Sequence, residues 1–265
     1  MNNIQLLVFD IDGTLVDRSK ETVEDSAVES INAARDKGYH ILVATGRSFF
    51  FIHEDVRERI NTEYYVTVNG ACLNDQKGNI IETHEFSRDT LNTLIDYCAE
   101  NKYPLGIKYD DHIGVYGDYD FFVKNYIGYT HKGIKHLVDD NEQQSHLTST
   151  PLGVYCFAPV SAIDKIKKAI PALNFIATDY DAFEAIRQGV DKVKTIEEVI
   201  DRLDLTWDNV AAFGDGHNDV EMLSKAKYGV AMGNANDYVK SYADYVTTDI
   251  MDNGIKNALK HLKII

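Results

Sequence analysis

Three largely apolar runs, each ending on glycine and polar side chains, constrain this chain more than any other feature. The first, Ile4–Phe9, breaks into Asp10-Ile11-Asp12-Gly13-Thr14-Leu15. The second, His40–Ala44, breaks into Thr45-Gly46-Arg47, and the third, Asn209–Phe213, into Gly214-Asp215-Gly216-His217-Asn218-Asp219. Residues two apart on a strand share a face, so Asp10 and Asp12 crowd one locus and repel unless a cation or a proton lies between them. In open α/β sheets ligands bind beyond the carboxyl ends of parallel strands, where the loops converge. Three such ends gather three aspartates, a hydroxyl and several glycine loops. One strand followed by glycine or aspartate is a common turn; the ordered set points to a site.

The segments between these runs fit that reading. Val23, Ala27, Val28, Ile31 and Ala34 recur at helical spacing over Thr22–Lys37, and Gly38 is a natural stop. A helix over Phe49–Ile60 and a strand over Tyr64–Val68 complete β-α-β-α-β, the signature of a parallel sheet. Asn69-Gly70 ends that strand, and residues 75–79 read as a hairpin turn. From about residue 83 to 186 the alternation is lost. Ser87 caps a helix to about Asn101, short strands surround Leu105–Tyr109, Ile113–Tyr116 and Gly153–Ala158, and Thr130–Thr150 is polar and hard to read. Alternation resumes with a helix over Val193–Leu203. The expected fold is α/β: a discontinuous, Rossmann-like parallel-sheet core domain (1–82 and 187–265) with an inserted α+β cap domain (83–186).

Composition sets bounds on partners. With 44% hydrophobic residues among 265, the chain can bury a core. A formal net charge of −15 argues against nucleic acid or an anionic membrane, both of which need a basic surface. A phosphate monoester is not excluded, because a metal and a lysine can dominate the local field. Three scattered cysteines, Cys72, Cys98 and Cys156, suit a reducing cytosol and read as buried thiols. No signal peptide or membrane span is read, so the expectation is a cytoplasmic protein without an obligate protein partner.

The motifs Asp10-Ile11-Asp12-Gly13-Thr14-Leu15, Ala44-Thr45-Gly46-Arg47, Gly189-Val190-Asp191-Lys192 and Gly214–Asp219 resemble the four ordered motifs of haloacid dehalogenase-like phosphatases. Asn69-Gly70-Ala71, Gly229–Asn234 and the insertion after the third strand are similar to the Cof-type branch. The resemblance implies a Mg²⁺-dependent phosphatase acting on small phosphorylated metabolites, foremost sugar phosphates, through an aspartyl-phosphate. Asp10 is then the nucleophile and Asp12 the general acid–base, the latter needing a raised pKa for its acid role. Mg²⁺ is held by Asp10, Asp215 and the backbone carbonyl of Asp12. Thr45, Gly46 and Lys192 bind phosphate, Asn218 and Asp219 orient Lys192 or metal waters, with direct metal ligation by Asp219 the alternative, and Arg47 and Asn69 are candidate substrate contacts. Further cap contacts are sought in Tyr109–His112 and Asp179–Asp181. The branch usually has glycine after the motif lysine, where this chain has Val193. Two alternatives stay open: a phosphomutase of the phosphomannomutase-like type, and a non-catalytic phosphometabolite-binding protein.

Overall fold

The computed structural model describes residues 3–17, 20, 22–178 and 181–265. In chain order the elements begin β1 (Leu6–Phe9), α1 (Asp25–Asp36), β2 (His40–Ala44), α2 (Glu54–Arg59), β3 (Tyr64–Thr67), β4 (Cys72–Asp75) and β5 (Ile80–Thr83). Next come α3 (Arg88–Asn101), β6 (Leu105–Lys108), β7 (Ile113–Tyr116), α4 (Tyr119–Tyr126), β8 (Leu137–Asp139), β9 (Gly153–Cys156), α5 (Val160–Ala169), β10 (Leu173–Ala177) and β11 (Phe183–Arg187). The chain closes with α6 (Lys192–Arg202), β12 (Val210–Gly214), α7 (Val220–Lys225), β13 (Tyr228–Ala231), α8 (Asp237–Lys240), β14 (Tyr245–Val246) and α9 (Gly254–His261). The chain divides into two compact units, one of them discontinuous.

The discontinuous unit comprises the segment ending at Arg47, Ile52–Ile81 and Lys192–Ile265. Its sheet has the order β14-β13-β12-β1-β2-β3-β4-β5, parallel from β14 through β3 and antiparallel between β3 and β4. All four residues of β1 are buried, as expected of a parallel strand covered on both faces. Leu6, Val8, Leu42 and Ala44 pack with Val193, Ile196, Val199 and Ile200 of α6 on one side. Val193 therefore has a packing role where the family pattern has glycine. The register aligns Phe9 with both Val43 and Phe213, and the rings of Phe9 and Phe213 stack at 4.6 Å. Three strands thus end at one level, and the residues after them are delivered together.

The sequence reading of one helix over Phe49–Ile60 needs correction. A 3₁₀ turn spans Phe49–Phe51, and α2 starts only at Glu54, because His53 is extended (φ −51°, ψ 132°). The three phenylalanines are half-buried, Phe50 and Phe51 packing against the inserted unit's core, and Ser48–Phe51 groups with that unit.

The inserted unit otherwise covers Glu82–Asp191. Its sheet has the order β10-β11-β9-β6-β7-β8, antiparallel except for the β7/β8 pair. Ser87 caps α3 by accepting from the Thr90 N–H, as its position suggested. Leu91, Leu94 and Cys98 of α3 and Ala162 and Ile166 of α5 fill the core against this sheet. The polar stretch 130–150 resolves into 3₁₀ turns at Lys132–His136 and Ser145–Leu147 around β8. Tyr109 is fully buried in this core and is no surface contact; Asp179 and Tyr180 lie outside the described residues. All three cysteines are buried thiols. Among the described residues, no helix is long and apolar enough to cross a membrane.

Candidate active site

Asp10 follows β1 and stays in register, its N–H donating to the Phe213 carbonyl at 3.0 Å. Lys192, the first residue of α6, reaches it from the far end of the sequence. The buried Nζ donates to Asp10 Oδ1 and to Asp219 Oδ1, each at 2.7 Å. Asp219 is saturated on its other oxygen, which accepts from the backbone N–H groups of Asp215 (3.1 Å) and Gly216 (2.9 Å). It ties the lysine to the loop after β12, as one carboxylate accepting several donors readily does.

The charges do not balance. Carboxylate oxygens of Asp10, Asp215 and Asp219 all lie within 4.8 Å of one another. Against these three acids Lys192 supplies one positive charge. Burial, the largest influence, opposes charge on Lys192, but Asp10 and Asp219 outweigh it and push its pKa up; the ammonium is firmly charged. Burial and the neighbouring Asp219 push Asp10 up in turn, against the pull of Lys192. Oxygen donors and surplus negative charge fit a hard divalent cation.

Two contacts shape the loop after β1. Gly13 has φ +98°, and a Cβ there would collide with the Asp215 carboxylate, so only glycine lets Asp215 approach. Thr14 Oγ1 donates to Asp215 Oδ1 at 3.2 Å, and Asn234 Nδ2 donates to the Gly13 carbonyl at 2.8 Å.

Asp12 departs from the sequence expectation. Arg47 grips it with two bonds, Nε to Oδ2 and Nη2 to Oδ1, both 2.7 Å, and His53 Nε2 stands 3.9 Å from Oδ1. Burial alone would raise the Asp12 pKa, but His53 and Arg47 hold it far below the usual carboxylate range. The predicted raised value is absent. The two Arg47 bonds, with His53 beside them, outweigh burial.

Thr45 is buried, and its Oγ1 accepts from the Arg47 N–H at 3.2 Å, which leaves its hydroxyl proton as a donor. Gly46 lies against the Asn69 amide, and Asn69 Oδ1 accepts from Asn218 Nδ2 at 3.1 Å. The discontinuous unit therefore gathers Asp10, Lys192, Asp215 and Asp219 around one point. Asp12 with Arg47, and Asn69 with Asn218, form separate pairs beside it. His53 carried no signal in the sequence, since its approach to Asp12 depends on the turn at 48–53. Thr14 lay inside the first motif without a role of its own.

A profile of the haloacid dehalogenase-like hydrolases matches residues 7–259. The chain belongs to that family. It is an enzyme of the family's phosphatase type, as several of its relatives are named. It is 25% identical over 260 residues to a 5-amino-6-(5-phospho-D-ribitylamino)uracil phosphatase of Bacillus subtilis (strain 168), covering 98% of this chain and 96% of that protein. It is 27% identical to a pyridoxal phosphate phosphatase of Escherichia coli (strain K12), covering 92% and 93% respectively. Among solved structures, a haloacid dehalogenase subclass IIB sugar phosphatase superposes with TM-score 0.86 at 28% identity, covering 98% of this chain and all of that one.

Proposed function

We propose that this member of the family is a Mg²⁺-dependent phosphatase of small phosphorylated metabolites, sugar phosphates foremost, working through an aspartyl-phosphate on Asp10. The observation that carries the reading is the buried Lys192 bridging Asp10 and Asp219 at 2.7 Å each, with Asp215 completing an acid cluster that one ammonium cannot neutralise. Asp10, Asp215 and the Asp12 carbonyl would hold Mg²⁺. When bound, the ion supplies the charge neutralisation that lets a carboxylate approach a dianionic phosphate.

The chain's own residues account for the rest. An Asp10 oxygen attacks phosphorus while the bond to the ester oxygen breaks, and Asp12 gives the departing alkoxide its proton. Asp12 then takes a proton from the water that attacks the phosphorylated Asp10, and inorganic phosphate leaves. Arg47 keeps Asp12 ionised at rest; for the first step the Arg47 grip loosens and Asp12 takes a proton from solvent, and the proton it gains in the second step returns to solvent as the grip re-forms. Lys192 and the Thr45 hydroxyl donate to the transferring phosphoryl oxygens, and Gly46 lets the backbone approach them closely. Arg47 also neighbours the place where the leaving group departs. Residues 83–186 would be the cap domain of such an enzyme. The relatives' names support a small substrate, since each printed substrate class is a phosphomonoester of a small molecule.

A panel of phosphomonoesters tested with Mg²⁺, using the wild type beside Asp10→Asn, tests this. Phosphate release from sugar phosphates, absent in the variant, is the expected result. Release that survives the substitution removes Asp10 from the reaction. Transfer without release, dependent on a bisphosphate activator, replaces the phosphatase with a mutase.

A further inference from the structure

Val68 and Asn69 are consecutive left-handed residues, with φ +49° and +53°. Such conformations cost about 1–3 kcal/mol each and persist only where the surroundings over-determine them. For a β-branched valine the conformation is a true outlier. The surroundings that impose it are the loop that carries Thr45 and Arg47, the helix that Lys192 opens and the loop that carries Asp215 and Asp219. The Val68 N–H donates to the Arg47 carbonyl at 2.9 Å, and the Asn69 N–H to the Thr45 carbonyl at 3.0 Å. The Gly70 carbonyl accepts from Thr195 Oγ1 at 2.6 Å, three residues into the helix that Lys192 opens. The Asn69 side chain itself is buried and takes the Asn218 amide at 3.1 Å, on the loop that carries Asp215 and Asp219. A Cβ on Gly46 would stand 3.0 Å from the Asn69 amide nitrogen, so the strand-2 loop closes down on the same group.

We propose that Asn69 is a positioning residue, whose buried amide locks the Gly214–Asp219 loop to the Thr45 loop and so fixes Asp215 relative to Asp10. The purpose of that positioning rests on the phosphatase reading; the lock itself does not. Left-handed geometry explains why the position holds asparagine, a residue that tolerates this region better than most. Glycine tolerates it better still but has no amide to offer. The backbone alone is therefore better served by glycine, and the side chain is the reason for asparagine. A direct substrate contact is the competing assignment. Burial argues against it, because the amide is engaged with Asn218 and covered by Gly46.

The test uses Asn69→Gly, Asn218→Ala and the double variant in the full chain. Asn69→Gly keeps an unstrained turn, so it should fold with a Tm close to wild type. Hydrogen exchange at the Asp215 and Gly216 amides should nonetheless accelerate about tenfold, since their loop keeps Lys192 and Thr14 as partners but has lost its link to Asn69. The value of kcat/KM for p-nitrophenyl phosphate with Mg²⁺ should fall roughly ten- to a hundredfold, the cost of about 1 Å of misplacement. The double variant should lose no more than the worse single variant, because both remove the same link. Unchanged exchange in Asn69→Gly overturns the proposal whatever the activity. Losses that multiply in the double variant overturn it too, by showing two independent contacts. If the wild type hydrolyses no ester, the phosphatase reading fails while the exchange measurement still decides the lock.

Discussion

Lys192→Met removes an ammonium from between two acids while roughly keeping side-chain length. In the native site Nζ lies 2.7 Å from Asp10 Oδ1 and 2.7 Å from Asp219 Oδ1, and all three side chains are buried. Removing one partner of a buried ion pair costs about 3–5 kcal/mol, mostly from stranding the remaining charge. Asp10 can relieve part of this by taking up a proton, since burial and Asp219 already push its pKa up. Asp219 remains bound to the Asp215 and Gly216 N–H groups, which favour its ionised form. The lower end of the range is therefore expected without metal, about 3 kcal/mol, or a Tm decrease of about 6–12 °C for a chain of this size. Loss of the donor should also reduce kcat/KM by about 10²–10³, as for other donors aimed at developing charge. Mg²⁺ adds a sign that packing effects cannot mimic. With one positive charge gone, the acid cluster should bind Mg²⁺ more tightly than in wild type, so the stability deficit should shrink as Mg²⁺ is added. Urea unfolding of both proteins with and without Mg²⁺ measures this. A metal-free deficit below about 1 kcal/mol, or one that Mg²⁺ enlarges, refutes the reasoning; the smaller figure is what an exposed pair contributes.

Three further outcomes follow from the same geometry. Gly13→Ala should lose both stability and activity because its Cβ meets Asp215, whereas Gly38→Ala, also at positive φ but with nothing within 4 Å, should cost only about 1–2 kcal/mol and leave kcat/KM intact; thermal melts and turnover compared side by side check this. Mg²⁺ at a hundred times its Kd should stabilise the wild type by about 2.7 kcal/mol, and Asp215→Asn should lose most of that gain, as titration of the unfolding midpoint with Mg²⁺ will reveal. The Asp12 carboxylate has a depressed folded-state pKa, so its contribution is present above the unfolded value of about 3.9 and is lost as pH falls toward the folded value. In metal-free buffer the stability gap between wild type and Arg47→Leu should therefore be steady from pH 7 to 5 and narrow below about pH 4; a gap that persists undiminished to pH 3 contradicts the assignment.

The acid-bearing strands were legible because their signal is local: an apolar run that ends on Asp10, Thr45 or Gly214-Asp215 shows its strand and its loop together. Ser87 as a cap, and the parallel core, were equally local inferences. The inserted unit was harder, since β8 sits within a polar stretch and becomes a strand only by pairing with β7. The Phe49–Phe51 turn was misread because the residue types do not separate it from α2; the break lies at Ile52 and His53, whose backbone leaves the helix.

Residue order alone determined which chemical groups this protein possesses and that Asp10, Thr45 and Asp215 stand at strand ends, because strand periodicity and glycine breaks are short-range properties of the chain. The tertiary structure decided which groups become partners. Arg47 pairing with Asp12, Lys192 joining Asp10 to Asp219, and Asn69 meeting Asn218 link residues 35, 182, 27 and 149 positions apart. Hydrogen bonds and ion pairs act over about 3 Å, so their choice of partner, and the pKa shifts that follow, are fixed only once sheet register has brought distant segments to that range.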